Sequence, residues 1–338
     1  MNKVNVGING FGRIGRSFLR IACKHPLINV VAINDKADAE TLTHLFKYDS
    51  IHGRFKGDVR LCNNHLGVAE KIMIGDSSIQ YFNQSNIEDI RWDYNKVDVV
   101  IDATGIFRSK EQLKKHFKKG VKKVILSSPP IDDTKMIVLG INDCELKNER
   151  IISNASCTTN SAAPMVEIID KLCGIEKAYV TTIHSYTTDQ KLHDAPHKDL
   201  RRARAAAQSI VPTTTGAAKA LTKVFPHLNK KIGGCGIRVP VPNGSLTDIT
   251  FIVKNIKTVN QVNVYFKKMA EQSFKDILYY CEDPIVSIDV IGSPYSCVFD
   301  SHLTSVIGNM IKVVGWYDNE IGYSNRLLNL IEKSIYNV

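Results

Sequence analysis

The chain reads as two α/β-type halves: a doubly wound half with a mostly parallel sheet, then an α+β half with a mixed or antiparallel sheet. Three observations predict this. Short β-branched runs alternate with longer amphipathic segments through the first half. From Gly234 onward strand-like runs dominate. The length of 338 residues suits two domains at roughly 150 residues each. The predicted boundaries are 1–156 for the first domain and 157–319 for the second, with the closing helix 320–338 packing back onto the first.

In order, Val4–Ile8, Val30–Ile33, Val97–Ile101, Val121–Leu126 and Met136–Leu139 read as buried strands. Ile14, Phe18, Leu19 and Ile21-Ala22 recur at helical spacing, with Pro26 as a stop, and Thr41 to Phe46 makes a second such face. Alternation of this kind implies parallel strands joined by right-handed crossovers. Between Gly53 and Asp93 the texture changes: Val59–Leu61, Lys71–Ile74 and Ile79–Phe82, separated by turn residues, predict a small antiparallel insertion. Arg150–Ile152 is a further short strand. Ala162–Leu172 reads as a helix and Ala178–His184 as a strand. Ser185 to Val211 is a polar, basic connection, and a loop of that length in a compact domain is usually functional. Ile237–Pro240, Leu246–Val253, Val286–Ile291, Ser296–Phe299 and Met310–Trp316 read as strands, Val259–Ser273 as a helix, and Ser324–Tyr336 as the terminal helix.

Composition narrows the function classes. A hydrophobic fraction of 43% with 23% charged residues supplies packed cores and excludes a disordered chain. No window approaches the ~18–20 apolar residues of a membrane span, and the first residues do not form a signal peptide, so a cytoplasmic protein is expected. Eight cysteines without a C-x-x-C spacing are expected as reduced thiols. The net charge of +10 suits an anionic partner, either a nucleic acid or a phosphorylated metabolite. The basic runs at 114–123 and 201–204 read as solvated faces. No aromatic-interleaved basic motif of the RNA-recognition type is present, so nucleic acid is not the expected primary partner.

The chemistry sits in three motifs. Gly10-Phe11-Gly12-Arg13-Ile14-Gly15 follows a strand and opens a helix. Its glycines permit the tight turn, the approach of a pyrophosphate and close helix–strand packing. Asp35, 20 residues after Gly15, stands where a carboxylate binds ribose hydroxyls. Together they predict a Rossmann unit binding a dinucleotide. A carboxylate repels a 2′-phosphate and so favours NAD, although the adjacent Lys36 leaves that choice open at this point.

The second motif is Ser153-Asn154-Ala155-Ser156-Cys157-Thr158-Thr159-Asn160, leading from a strand into a helix. A thiol at a helix N-terminus feels the positive end of the dipole, which lowers its pKa. A thiolate chemistry also needs a proton acceptor. Among ten histidines, His184 ends a strand and faces the long polar loop, whereas His116, His197 and His227 lie in charged segments and are expected to be solvated. Pro196 between His193 and His197, with no acidic ligand, argues against a metal site. The third motif gathers anion-holding groups: Thr213-Thr214-Thr215-Gly216 ahead of a helix, Arg238, and the loop arginines.

These residues carry a resemblance. Asn9–Arg16, Ser153–Asn160, His197–Arg204, Pro212–Lys219 and Trp316–Ser324 resemble the phosphorylating glyceraldehyde-3-phosphate dehydrogenase family nearly end to end, in its bacterial form. The resemblance implies that Cys157 attacks the aldehyde carbon and His184 acts as base. A thiohemiacetal is oxidised to a thioester, and inorganic phosphate opens it to 1,3-bisphosphoglycerate. It implies Thr187, Arg238 and Asp189 for the substrate phosphate, and Ser156, Thr158, Thr215, Gly216 and Arg202 for inorganic phosphate. It implies NAD as cofactor, with Arg13, Ile14, Asp35 and Ser127 contacting it and Asn319 and Tyr323 at the nicotinamide end. A homotetramer is also implied. The erythrose-4-phosphate dehydrogenases, which hydrolyse the thioester, are the related alternative, and Thr213–Lys219 favours the phosphate-using branch. Ser161 replaces a common second cysteine, Gly244 a common valine, and near Ser85 a family arginine is missing. Pro196 matches the NAD users.

Overall fold

The structure, a computed structural model, describes residues 3–63, 69–117 and 120–336. Lys118 and Lys119 of the basic run lie outside them. The chain divides into two compact units: Met1–Ile137 with Leu146–Ala155 and Ser324–Val338, and Val138–Glu145 with Ser156–Tyr323.

The first unit begins with β1 (Val4–Asn9), α1 (Arg13–Ala22), β2 (Ile28–Asn34) and α2 (Ala39–Lys47). The Asp38 carboxylate caps α2 by accepting from Thr41 N at 2.7 Å. A two-residue ladder, β3 (Tyr48–Asp49) with β4 (Gly53–Arg54), leads to the insertion: β5 (Val59–Asn63), β6 (Ala69–Ile74) and β7 (Ser77–Phe82). Then come β8 (Val99–Asp102), α3 (Lys110–Leu113), β9 (Lys123–Leu126), β10 (Lys135–Met136) and β11 (Ile151–Ser153). These strands form one sheet in the order β10-β11-β9-β8-β1-β2-β7-β6-β5. Pairing is parallel from β10 to β7 and antiparallel through the insertion. The mostly parallel sheet and its antiparallel insertion are as the sequence predicts. Every residue of β8 and β9 is buried, and within them Val99–Ile101 and Val124–Leu126 are unbroken apolar runs.

The second unit holds α4 (Cys157–Cys173), β12 (Ile175–Ser185), β13 (Val211–Thr213), α5 (Ala217–Val224), β14 (Ile232–Val239), β15 (Ser245–Val253) and α6 (Val259–Glu271). It continues with β16 (Leu278–Cys281), β17 (Cys297–Asp300), β18 (Ser305–Ile307) and β19 (Met310–Tyr317). Helix α7 (Ile321–Tyr336) closes the chain. The sheet order is β13-β14-β12-β15-β19-β17-β16, with β18 on β19. Only β12–β14 and β16–β17 are parallel among its pairs, so the sheet is mixed, as expected. Strand β15 alternates buried and half-buried residues, the signature of a sheet covered more heavily on one face. In the same unit Phe266 of α6 stacks on Phe299 of β17 with ring centroids 3.8 Å apart.

Several expectations are corrected. Val286–Ile291 is no strand: Ser287–Val290 forms a 3-10 turn, because Asp289 accepts from Val286 N at 2.8 Å and curls the segment. Met136–Leu139 pairs only over Lys135–Met136, since Val138 N turns to the Asn142 side chain. Strand β14 begins five residues earlier than Ile237, because Gly233-Gly234 hides a strand from propensity. A Cβ at Gly234 would stand 2.6 Å from Val180 O, so glycine lets β14 lie against β12. Strand β16, four residues long, is not among the strands expected from the sequence. His116, expected in solvent between lysines, is fully buried, because its 3-10 turn directs the ring inward against Trp92.

Candidate active site

The glycine loop is built as its motif requires. Gly10 adopts φ +93°, and a Cβ there would lie 2.7 Å from Thr104 N. A Cβ on Gly15 would stand 2.3 Å from Gly10 O, so only glycine lets α1 start against the loop. Around Gly12 the space is open for 4 Å. Both Asp35 oxygens accept backbone N–H groups, from Phe11 at 2.6 Å and Ala37 at 3.0 Å, which ties the end of β2 to the loop. A cleft of about 210 Å³ opens at the carboxyl ends of β1, β2 and β8, lined by Gly10, Gly12, Asp35, Lys36, Gln84 and Ser85 among others. A turn that excludes side chains where backbone must close in, an open position at its middle glycine and an acid at the second strand end fit a dinucleotide. Ile14 lies in the first turn of α1. Ser127 directly follows β9, its N–H donating to Asp102 O at 3.0 Å. The Arg13 guanidinium binds both oxygens of Asp49, at 2.6 and 3.1 Å.

In the second unit, Ser156 caps α4: its hydroxyl accepts from Thr159 N at 3.1 Å. The residue before it, Ala155, takes the left-handed conformation at φ 54°. That pair of devices places Cys157 at the first helical position. Cys157 Sγ lies 3.5 Å from His184 Nε2. His184 comes from the far end of β12, where the parallel register sets it opposite Arg238 on β14. Arg238 Nη1 donates to Ser185 O at 2.9 Å and stands 2.6 Å from His184 Nδ1. Nδ1 also lies 2.7 Å from Ser185 O. A guanidinium can only donate, so Nδ1 either accepts from Arg238 or donates to Ser185, and the second choice leaves Nε2 free to accept a proton.

The electrostatics differ from the simple helix-end expectation. Burial pushes the Cys157 thiol up, opposed by the Arg238 charge and by hydrogen bonds from Thr158. Burial and then the Arg238 charge push the His184 imidazole down to about 3. Each group alone is therefore disfavoured as an ion. Moving the thiol proton to the imidazole creates both charges together, and their attraction offsets part of both penalties.

The anion-holding residues are partly gathered. Arg202 donates to Asp189 at 2.5 Å, to Thr213 Oγ1 at 2.9 Å and to Thr214 O at 3.3 Å. Burial pushes Asp189 up, but Arg202 outweighs it and holds the carboxyl below its ordinary range. Thr215 Oγ1 accepts from Ala217 N at 3.2 Å, with Gly216 between them at the start of α5. Thr187 follows β12, its carbonyl accepting from Gln190 N at 2.9 Å. The Thr158 hydroxyl is bonded to Tyr317 Oη at 2.9 Å. Asn319 is buried, its Oδ1 accepting from Ser185 Oγ and Ser245 Oγ at 2.8 Å each. Tyr323, also buried, lies in the first turn of α7. Sequence reasoning missed Tyr317, Ser185 and Ser245. Their signal lay in sheet register, which pairs Ser245 with Tyr317 across β15 and β19.

A glycine-loop parallel sheet together with a half-buried thiol paired to a buried imidazole beside two arginines defines a class: cysteine-dependent oxidoreductases that use a dinucleotide. Residues 4–110 match the NAD-binding domain, and residues 156–319 the C-terminal domain, of glyceraldehyde 3-phosphate dehydrogenase. The chain belongs to the glyceraldehyde-3-phosphate dehydrogenase family. It is 50% identical over 331 residues to glyceraldehyde-3-phosphate dehydrogenase 2 of Streptomyces avermitilis. It is 48% identical over 330 residues to the glyceraldehyde-3-phosphate dehydrogenase of Geobacillus stearothermophilus, and 48% over 335 residues to that of Mycobacterium tuberculosis. Each alignment covers 97% of both chains.

Proposed function

We propose that Cys157 is the nucleophile and His184 the base with which this NAD-dependent oxidoreductase converts glyceraldehyde 3-phosphate and inorganic phosphate to 1,3-bisphosphoglycerate, a step of glycolysis. The observation that carries this is the 3.5 Å contact between Cys157 Sγ and His184 Nε2 at the start of α4. The Cys157 sulfur adds to the aldehyde carbon, giving a thiohemiacetal. His184 Nε2 then takes the hydroxyl proton as the carbon is oxidised. Bound NAD supplies the hydride acceptor. The acyl group remains on sulfur as a thioester until a phosphate oxygen attacks it and the sulfur leaves as thiolate.

Arg238 and Thr187 hold the substrate phosphate. A phosphate on Arg238 draws the guanidinium off His184 Nδ1, so that Nδ1 donates to Ser185 O and Nε2 works as base. Arg202, Thr215 and Gly216 hold inorganic phosphate with Ser156 and the backbone of Thr158. A carboxylate repels phosphate, so Asp189 acts by orienting Arg202. Gly10, Gly12, Arg13, Ile14, Gly15, Asp35 and Ser127 serve the cofactor, with Asn319 and Tyr323 at its nicotinamide end. The first unit is thus the cofactor domain and the second the catalytic domain.

Two coarser features support a cytoplasmic homotetramer. All eight cysteines are free, and Leu192, Leu200 and Ile210 of the long loop are exposed apolar residues suited to burial by a second copy. No helix among the described residues is long and apolar enough to cross a membrane. Light scattering that returned the 37.7 kDa monomer mass would overturn the assembly.

The deciding experiment follows absorbance at the reduced-nicotinamide band with glyceraldehyde 3-phosphate, NAD or NADP, and with or without inorganic phosphate. Turnover should require phosphate and favour NAD. Phosphate-independent turnover, or preference for erythrose 4-phosphate, would move the chain to the hydrolysing branch.

A further inference from the structure

Beneath the cleft of the first unit runs a chain of polar groups, buried from Trp92 and His116 through Asp102 and Asn9 to Asn34, that the proposed chemistry does not use. His116 and Asp102 have fully buried side chains, at 0% exposure each. The Trp92 indole N–H can only donate, and it donates to His116 Nδ1 at 3.1 Å. The imidazole proton facing Asp102 therefore sits on Nε2, 3.2 Å from Asp102 Oδ2. The same Oδ2 accepts from Asn9 Nδ2 at 2.9 Å. That turns Asn9 Oδ1 toward Asn34, whose Nδ2 donates to it at 2.8 Å. Asn34 then grips residue 84 twice: its Nδ2 donates to Gln84 O at 3.0 Å and its Oδ1 accepts from Gln84 N at 2.9 Å. The other Asp102 oxygen accepts from Thr104 Oγ1 at 2.6 Å and Thr104 N at 3.2 Å.

Four members of this chain, Asn9, Asn34, Gln84 and Thr104, line the cleft. A carboxamide carries a donor on one side and an acceptor on the other, so each orientation dictates the next. The sense of the whole chain is set at its buried end, by an indole that cannot accept. Core polar groups that served only their own satisfaction would not need to run from β8 through β1 and β2 to the wall of a ligand cleft.

We propose that His116 is a positioning residue for the adenosine half of the dinucleotide, fixing the Asn9 and Asn34 carboxamides and seating the Gln84–Ser85 wall from inside the core. This rests on the reading that the cleft takes that half of NAD: Asp35 stands at the ribose, and Lys36, Gln84 and Ser85 lie beyond it. It also gives the wall a support that does not depend on the arginine missing near Ser85.

The test uses the full chain and calorimetric titration with ADP-ribose and with NAD. His116→Leu fills similar space but leaves the indole N–H and Asp102 without their partner, and should raise the ADP-ribose dissociation constant about tenfold or more. His116→Gln, which can accept from Trp92 and donate to Asp102, should return it to within about threefold of wild type. Iodoacetamide alkylation of Cys157, in the other unit, should keep its wild-type rate in both. Should His116→Leu fail to fold, Trp92→Phe keeps an aromatic ring while removing the directing N–H group with part of the indole's bulk, and should weaken ADP-ribose binding severalfold, by about 3–10 times. Wild-type affinity in a folded His116→Leu or Trp92→Phe protein overturns the proposal, as does a His116→Gln protein no better than His116→Leu. Failure of the wild-type protein to bind ADP-ribose overturns the reading of the cleft itself.

Discussion

Cys157 is one of eight free cysteines, and its surroundings set it apart. Cys23 is pushed up to about 11 and Cys297 to about 12, chiefly by burial. Cys157 is also pushed up by burial, but Arg238 and Thr158 work against the shift, and an imidazole stands 3.5 Å away to receive the proton. Replacing the sulfur, Cys157→Ser, is expected to abolish oxidation while calorimetric NAD affinity stays within about threefold. His184→Asn is expected to lower turnover by about 10²–10⁴ through loss of the base. The sign of its pH effect follows from the pairing. An imidazolium stabilises the thiolate, so losing it moves the rise of Cys157 alkylation with pH to higher pH. Superimposable alkylation profiles for wild type and His184→Asn would refute the coupling.

At the scale of elements, two devices fix where the chemistry happens. The Ser156 cap and the left-handed Ala155 start α4 at the nucleophile. Ser156→Ala removes a hydroxyl acceptor from Thr159 N, and a thermal melt should show a loss of about 1 kcal/mol together with slower alkylation of Cys157. The glycine loop is the second device. Gly15→Ala places a Cβ 2.3 Å from Gly10 O, a backbone atom that cannot step aside, so NAD binding should fall by more than about tenfold while Cys157 alkylation persists. An alanine variant that bound NAD normally would show that the loop is not held by this contact.

For the whole molecule, acid stability carries the imprint of one pair in the first unit. Burial pushes Asp49 up, but the Arg13 hydrogen bond and the Ile51 and His52 amides bring it down to about 2, against an ordinary 3.8. A carboxyl depressed on folding adds stability that is fully present above the unfolded value, and the contribution is lost as pH falls through the folded one. Arg13→Met should therefore unfold at lower urea concentration at pH 6. The gap to wild type should close as pH falls from about 4 towards 2. A gap that persisted at pH 2 would place the effect in packing rather than in the charge.

The amino-acid sequence by itself determined the alternating first half, the glycine loop with its acid, and the strand–cysteine–helix motif, because each is a local pattern whose period or turn chemistry is written in neighbouring residues. Cys157 and His184 were both legible as chemical types, the first from its flanks and the second only as a strand end. Tertiary structure alone decided that β12 and β14 pair in a register that sets His184 beside Arg238, that Tyr317 reaches Thr158 from 159 residues away, and that His116, flanked by lysines, turns inward onto Trp92 and Asp102. Register, burial and hydrogen-bond direction depend on which distant backbone lies alongside, and no window of consecutive residues contains that information.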